Sequence, residues 1–218
     1  MTNGEATSEP AITTSRAESI ADHMYRMSMM CMFAPSTLLQ PTDGRPGIDV
    51  SRAMKMALVH DLGESIVGDI TPMDGIDKEE KHRRELSAIT WIAQDLCGGI
   101  ESLDERGDTV KGAVGREIQE LWEEYEAGRT LTSRFVKDID KMELVVQTVE
   151  YEKDSGGRTD LSEFMWVCEK IELPEMKQWC RELIAEREAF QKSVSRPKQS
   201  SSTAETHKKR DLVDEYYA

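Results

Sequence analysis

The sequence predicts an all-α protein: a single compact helical globule of about six to seven helices with disordered ends. Three observations carry that expectation. Apolar side chains recur at three- and four-residue spacing along most of the chain, and no convincing period-2 strand is found. The Pro- and Gly-rich stretch from Pro35 to Gly47, Gly98-Gly99, Gly128 and Pro174 fall at the ends of the periodic segments. The chain is 38% hydrophobic and 32% charged over 218 residues, the composition of one ordinary globular domain.

The elements follow in order. Residues 1–16 are polar and small, and the tail 193–218 begins SVSRPKQSSS; neither has an apolar period, so both are expected to be disordered. Ile20, Met24, Met27 and Cys31 form the stripe of a first helix, with Ser19 and Asp22 as its capping box. Pro35 to Gly47 holds three Pro and two Gly and reads as a loop. A second helix is expected from Ser51 to Ile66, with Met56, Val59 and Gly63 on one side. A third carries Leu86, Ile89, Ala93 and Leu96 and stops at Gly98-Gly99. A fourth shows Val110, Val114, Ile118, Leu121 and Tyr125 and halts at Gly128. The fifth spans Thr132 to Lys153, and the sixth starts near Asp160, with Glu163 three residues later. The last opens on Pro174, a favourable first-turn proline, and buries Met176, Trp179 or Cys180, Leu183 and Phe190. The folded domain is therefore expected over residues 17–192.

Charge and composition exclude several function classes. Carboxylates outnumber Lys and Arg 42 to 28, a net charge of −14 that repels nucleic-acid polymers. The longest apolar run, Met29 to Ala34, is far short of the roughly 20 residues of a membrane span. The start, MTNGEATSEP, lacks the basic and apolar regions of a secretory signal. Cys31, Cys97, Cys168 and Cys180 are scattered with no C-x-x-C pair, so neither a disulfide scaffold nor a zinc knuckle is expected and the chain reads as intracellular.

The informative positions are ionisable groups that interrupt apolar stripes. His23 lies between Ile20 and Met27. His60 and Asp61 follow the apolar stretch ALV, and Glu64 comes one turn later on the same wall. Asp69 follows Gly68, where the backbone can turn back toward that wall. Asp140 sits at four-residue spacing between Val136 and Leu144. Each position has a structural alternative: a satisfied core histidine, an Asp140 paired with Lys137 or Lys141, a solvated Glu64, an Asp69 that caps a turn. A shared divalent cation accounts for two His and four carboxylates at once, because bare charge on a buried stripe costs several kcal/mol.

These residues lie in distinctive text: ESIADHMYRM around His23, KMALVHDLGESIVGDITP from Lys55 to Pro72, KHRRE from Lys81 and FVKDIDKMEL around Asp140, with LWEEYEAGRT and EYEK further along. In them the sequence resembles the HD domain of metal-dependent phosphohydrolases, and more closely the HD domain-containing protein 2 family of 5′-deoxynucleotidases. A His, His-Asp and Asp set is shared by many hydrolases; the HDLGESIVGDITP string is far more specific. The resemblance implies that His23, His60, Asp61 and Asp140 hold the principal metal, Asp138 being a decoy. It makes Glu64 the catalytic carboxylate and Asp69 a second essential acid, and in some family members Glu64, Asp69 and the Ile70 carbonyl hold a second ion. It further implies a small-molecule nucleotide substrate, a homodimer, and a cytoplasmic or nuclear location. One departure stands out: the family's Arg- and Trp-bearing stretch ahead of the first of these motifs finds no match before Arg16.

The residue types suit the chemistry. A mixed imidazole and carboxylate set binds Mn²⁺, Co²⁺ or, more weakly, Mg²⁺, with Zn²⁺ and Fe²⁺ also compatible. Such an ion acidifies water and neutralises phosphoryl charge, leaving Glu64 to act as base and Asp69 to protonate the departing 5′ oxygen or orient a water. The expected activity is hydrolysis of deoxynucleoside 5′-monophosphates. Two alternatives remain at this level: a phosphodiesterase or polyphosphate-type nucleotide hydrolase on the same scaffold, and a non-catalytic helical module that keeps a metal for stability.

Overall fold

The computed structural model describes residues 18–194 except 43, 72, 73 and 105. The expected disordered segments, 1–16 and nearly all of 193–218, lie outside the described residues. Ser19 caps α1 (Ile20–Cys31): its hydroxyl accepts the Asp22 N–H at 3.1 Å while the Asp22 carboxylate accepts the Ser19 N–H at 3.2 Å. The segment expected as a loop contains one helical turn, α2 (Ser36–Leu39), held down by buried Leu38. Asp49 caps α3 (Val50–Ala57) by accepting the Arg52 N–H at 2.9 Å.

The helix expected over Ser51 to Ile66 is broken. α3 ends at Ala57, and α4 (Glu64–Val67) is separated from it by tight turns. The cause is His60 itself. Its Nδ1–H donates to the Ala57 carbonyl at 2.9 Å, the acceptor that the Asp61 N–H would use in a continuous helix. Beyond it, the N–H groups of Leu62 and Glu64 reach back only three residues, to Val59 and Asp61, at 3.0 Å each. Gly68 closes α4 at φ 80°, a conformation that glycine adopts without Cβ strain.

α5 (Lys78–Trp91) starts on the Asp77 cap and runs into a π-turn over Ile92–Leu96, where the Cys97 N–H bonds the Ile92 carbonyl at 2.9 Å. The wider turn shifts the register, so Leu96, expected on the apolar stripe, is exposed. A small antiparallel hairpin follows, β1 (Glu101–Leu103) with β2 (Thr109–Lys111), Ser102 opposite Val110. This corrects both the expected absence of strands and the placing of Val110 in the fourth helix. Three-residue strands are too short to display a period. α6 (Ala113–Ala127) presses Gly115 so close to the π-turn that a Cβ there would lie 2.0 Å from the Ala93 carbonyl oxygen. Val114, expected on the stripe, faces outward.

α7 (Leu131–Asp154) is the central helix, packed against α1, α3, α6, α8 and a 3-10 segment over Ser162–Lys170. Phe135, Val136, Ile139, Met142 and Val145 are fully or almost fully buried along it. Burying each such side chain contributes about 1.5–3 kcal/mol. α8 (Pro174–Ser193) opens on Pro174 as expected and buries Met176 and Cys180. The cysteine expectation needs correction: Cys168 of the 3-10 segment and Cys180 of α8 are disulfide-bonded, Cα atoms 6.3 Å apart, whereas Cys31 and Cys97 are free and buried. The turn between the two elements makes this pairing, which spacing along the chain does not announce. Among the described residues no helix is long and apolar enough to cross a membrane.

Candidate metal centre

Three elements deliver the polar cluster: His23 from the first turn of α1, His60 and Asp61 from the turns after α3, and Asp140 from the middle of α7. Donor atoms of His23, His60 and Asp140 all lie within 4.8 Å of one another. Asp61 joins them, its Oδ2 at 3.1 Å from His60 Nε2 and 3.7 Å from His23 Nε2, and Asp140 Oδ1 stands 3.4 Å from His23 Nε2. The imidazole rings of His23 and His60 are 5.5 Å apart between centroids.

Partners behind the rings fix which nitrogen faces the cluster. The Ala57 carbonyl can only accept, so His60 Nδ1 carries the proton and Nε2 points inward. His23 Nδ1 donates to Glu143 Oε2 at 2.9 Å, which likewise turns its Nε2 inward. Glu143 is itself 1% exposed and is paired with Arg26 Nε at 2.7 Å. On the far side the Tyr125 hydroxyl donates to Asp140 Oδ2 at 2.8 Å. Such outer contacts orient ligands and raise their basicity.

His60 Nε2 is the atom that tests the fit of a metal. It is buried and has no hydrogen-bond partner of good geometry, its nearest acceptor being Asp61 Oδ2 at 3.1 Å. A buried unpaired nitrogen is costly, and a cation relieves it. Two donors each about 2.1 Å from one ion lie at most about 4.2 Å apart, so small side-chain rotations close this set on a single divalent ion. The donor types and the geometry therefore fit a divalent metal.

Electrostatics point the same way. Burial opposes charge on His23, yet its contacts with Asp140 and Glu143 and the charge on Asp61 outweigh burial and hold it up to about 10. Burial likewise opposes charge on His60, but Asp61 and Asp140 raise it. Burial works against the Asp140 carboxylate too, and His23, His60 and the Tyr125 hydroxyl still hold it well below its ordinary value. Without an ion, protons supply the positive charge that these carboxylates demand. Metal and protons thus compete for one place.

The remaining expected residues lie at the edge. Glu64 is buried at the start of α4 and is pushed up to about 8 by burial, then by Asp61 and Asp69, with Lys81 opposing. Lys81 Nζ sits 3.4 Å from Glu64 Oε1 and donates to the Ile70 carbonyl at 3.0 Å. Asp69 is exposed beyond Gly68 and stands outside the group formed by His23, His60 and Asp140. Asp138 faces away: buried, it accepts the N–H groups of Glu172 and Leu173 at the entry to α8. Sequence reasoning missed Glu143, Arg26, Lys81 and the Tyr125 hydroxyl. Spacing holds a signal for two of them, because Arg26 and Glu143 each follow a cluster residue by three and so share its helix face.

Comparison with known proteins agrees with this geometry. The family model described as HD domain matches residues 8–179. The 5′-deoxynucleotidase hdd1 of Schizosaccharomyces pombe is 43% identical over 183 residues, 84% of this chain and 83% of that protein. The 5′-deoxynucleotidase HDDC2 of Homo sapiens is 39% identical over 173 residues, 79% of this chain and 74% of that protein. Among solved structures, the HD domain-containing protein YGK1 aligns with a TM-score of 0.57 at 34% identity, covering 79% of each chain. A helical globule that gathers two inward-facing imidazoles and two aspartates from three elements, matched over this much of its length, belongs to the HD domain family.

Proposed function

We propose that the chain is a metal-dependent 5′-deoxynucleotidase that hydrolyses deoxynucleoside 5′-monophosphates to deoxynucleoside and phosphate. The observation that carries this reading is the buried, inward-facing Nε2 of His60, set among His23, Asp61 and Asp140 in a chain similar to proteins of that activity. His23 and His60 would hold the ion through Nε2, and Asp61 and Asp140 through carboxylate oxygens. This nitrogen and oxygen set favours Mn²⁺ or Co²⁺ over Mg²⁺. When bound, the ion supplies Lewis acidity toward the phosphoryl group and lowers the pKa of water.

The remaining steps fall to the chain's own residues. Glu64, buried at the start of α4 beside the cluster, is placed to take a proton from the attacking water as general base. Asp69, exposed beside it, protonates the departing 5′ oxygen or orients a water that does. The test is phosphate release from dAMP, dCMP, dGMP and dTMP with Mn²⁺ or Co²⁺ added. Activity that survives chelation, or survives Asp61→Ala, refutes the reading. Turnover confined to cyclic nucleotides or triphosphates in the same panel assigns the scaffold to another hydrolase class.

A further inference from the structure

Cys168 is bonded to Cys180, 12 residues further along, and so joins the 3-10 segment Ser162–Lys170 to the second turn of α8. The loop closed in this way carries Ile171, Leu173 and Met176, all buried, and the Glu172 and Leu173 N–H groups that Asp138 accepts. Both joined elements pack on α7, and their anchor there is Asp138, not Asp140 of the cluster. The two sulfurs are unequally placed. Cys180 is 3% exposed, whereas Cys168 is only half-buried. Oxidation and thiol–disulfide exchange both need a reagent to reach one sulfur, and Cys168 is the way in. The other two cysteines do not compete. Cys31 and Cys97 are buried, and burial pushes the Cys31 thiol up to about 12, far from the reactive thiolate form.

We propose that Cys168 and Cys180 form a reversible redox modification site: a hydroperoxide oxidises Cys168, and Cys180 resolves the product, stapling the 3-10 segment to α8. In the first step the Cys168 thiolate attacks the peroxide O–O bond. Cys168 becomes a sulfenic acid, and the other oxygen leaves with a proton as alcohol, or as water from hydrogen peroxide. In the second step the Cys180 sulfur attacks the Cys168 sulfur and expels water. Two thiols and one hydroperoxide thus give one disulfide, one water and one alcohol. Reduction uses the same opening: a thiolate of an external dithiol attacks the Cys168 sulfur, releases Cys180 as a thiol and departs as its own disulfide. Closing the loop restricts the unfolded chain, so the oxidised form is the more stable one. His23, His60, Asp61 and Asp140 all lie outside the closed loop, which makes the staple a control on the anchoring of α8 and not on the cluster.

The experiment uses the full-length chain, reduced with dithiothreitol, freed of it, and treated with a stoichiometric amount of hydrogen peroxide. Peptide mapping by mass spectrometry then shows the Cys168–Cys180 bond with Cys31 and Cys97 still thiols, and the melting temperature rises by about 5–10 °C. Dithiothreitol added to the folded protein reverses both changes. In Cys180→Ala, dimedone, a trap for sulfenic acids, labels Cys168; in Cys168→Ala it leaves Cys180 unlabelled, and neither variant gains melting temperature on oxidation. Reduced wild type tests the same order without a substitution, iodoacetamide reaching Cys168 at least about tenfold faster than Cys180. Alkylation or trapping of Cys180 ahead of Cys168, a bond that resists dithiothreitol in the folded protein, or a melting temperature indifferent to oxidation overturns the proposal.

Discussion

Asp138 and Asp140 stand two residues apart on α7 and have opposite surroundings. Asp138, 1% exposed, accepts the Glu172 N–H at 3.0 Å and the Leu173 N–H at 2.7 Å, fastening the entry of α8. Further along, Glu152 takes Arg187 through both carboxylate oxygens, at 2.7 and 2.8 Å, and the Leu161 N–H at 2.8 Å. These are permanent donors. Asp140, on the other face, meets two imidazoles and a tyrosine hydroxyl. The difference teaches how one helix separates architecture from chemistry. Carboxylates that only hold the fold are matched by groups that never change charge, whereas the cluster is matched by protons that an ion can displace.

The sharpest way to break the comparison is to exchange the two aspartates' fates. Asp140→Ala should abolish bound metal and lower nucleotide turnover by at least about a thousandfold. Asp138→Ala should leave metal content intact and cost about 1–3 kcal/mol in urea unfolding, from the backbone donors it strands. Metal loss in the second variant would erase the distinction. Next in size, Glu152→Ala leaves the half-buried Arg187 guanidinium with only Asp160, 3.6 Å away, and should cost about 1–3 kcal/mol, again without loss of metal. Glu143→Gln sharpens the other face: with His23 less firmly oriented, metal affinity should fall about 10- to 100-fold while the unfolding midpoint of the metal-free protein moves less.

A different lever on the same comparison is pH. In the metal-free protein, His23 is held up to about 10 and Glu64 up to about 8, against ordinary values of 6.5 and 4.5. Both bind more protons folded than unfolded across those intervals, so stability declines as pH rises through them. Their contribution is whole below the ordinary values and gone above the folded ones. The melting temperature of the metal-free chain should therefore fall between pH 6.5 and 10, and Mn²⁺ should flatten the decline by taking the protons' place. A metal-free melting curve that climbs over that interval contradicts the electrostatics described for the cluster.

Much of this architecture is legible in the sequence wherever a feature depends on near neighbours. The capping box of Ser19 and Asp22, the proline-led start of α8 and the glycine stop of α6 all declare themselves within one helical turn. The gathering of His23, His60 and Asp140 is legible for a related reason, because each interrupts an apolar stripe and so must face inward. The long second helix fails where a side chain competes with the backbone: His60 seizes the Ala57 carbonyl, an event that helical periodicity does not record. The π-turn after Trp91 likewise inserts a residue's worth of rotation that a fixed period cannot follow.

By itself, the sequence determined the helical class and several helix ends, since propensity, capping and amphipathic spacing act over a few residues, and it singled out His23, His60 and Asp140 as polar interruptions of apolar stripes. Only the tertiary structure decided that Glu143 would orient His23 across 120 residues, that Cys168 would meet Cys180, and that Lys81 would settle between Glu64 and the Ile70 carbonyl. Those pairings arise when burial forces every charge and polar atom to find a partner among whatever the packed helices bring near. That requirement is imposed by the assembled core and not by any stretch of chain within it.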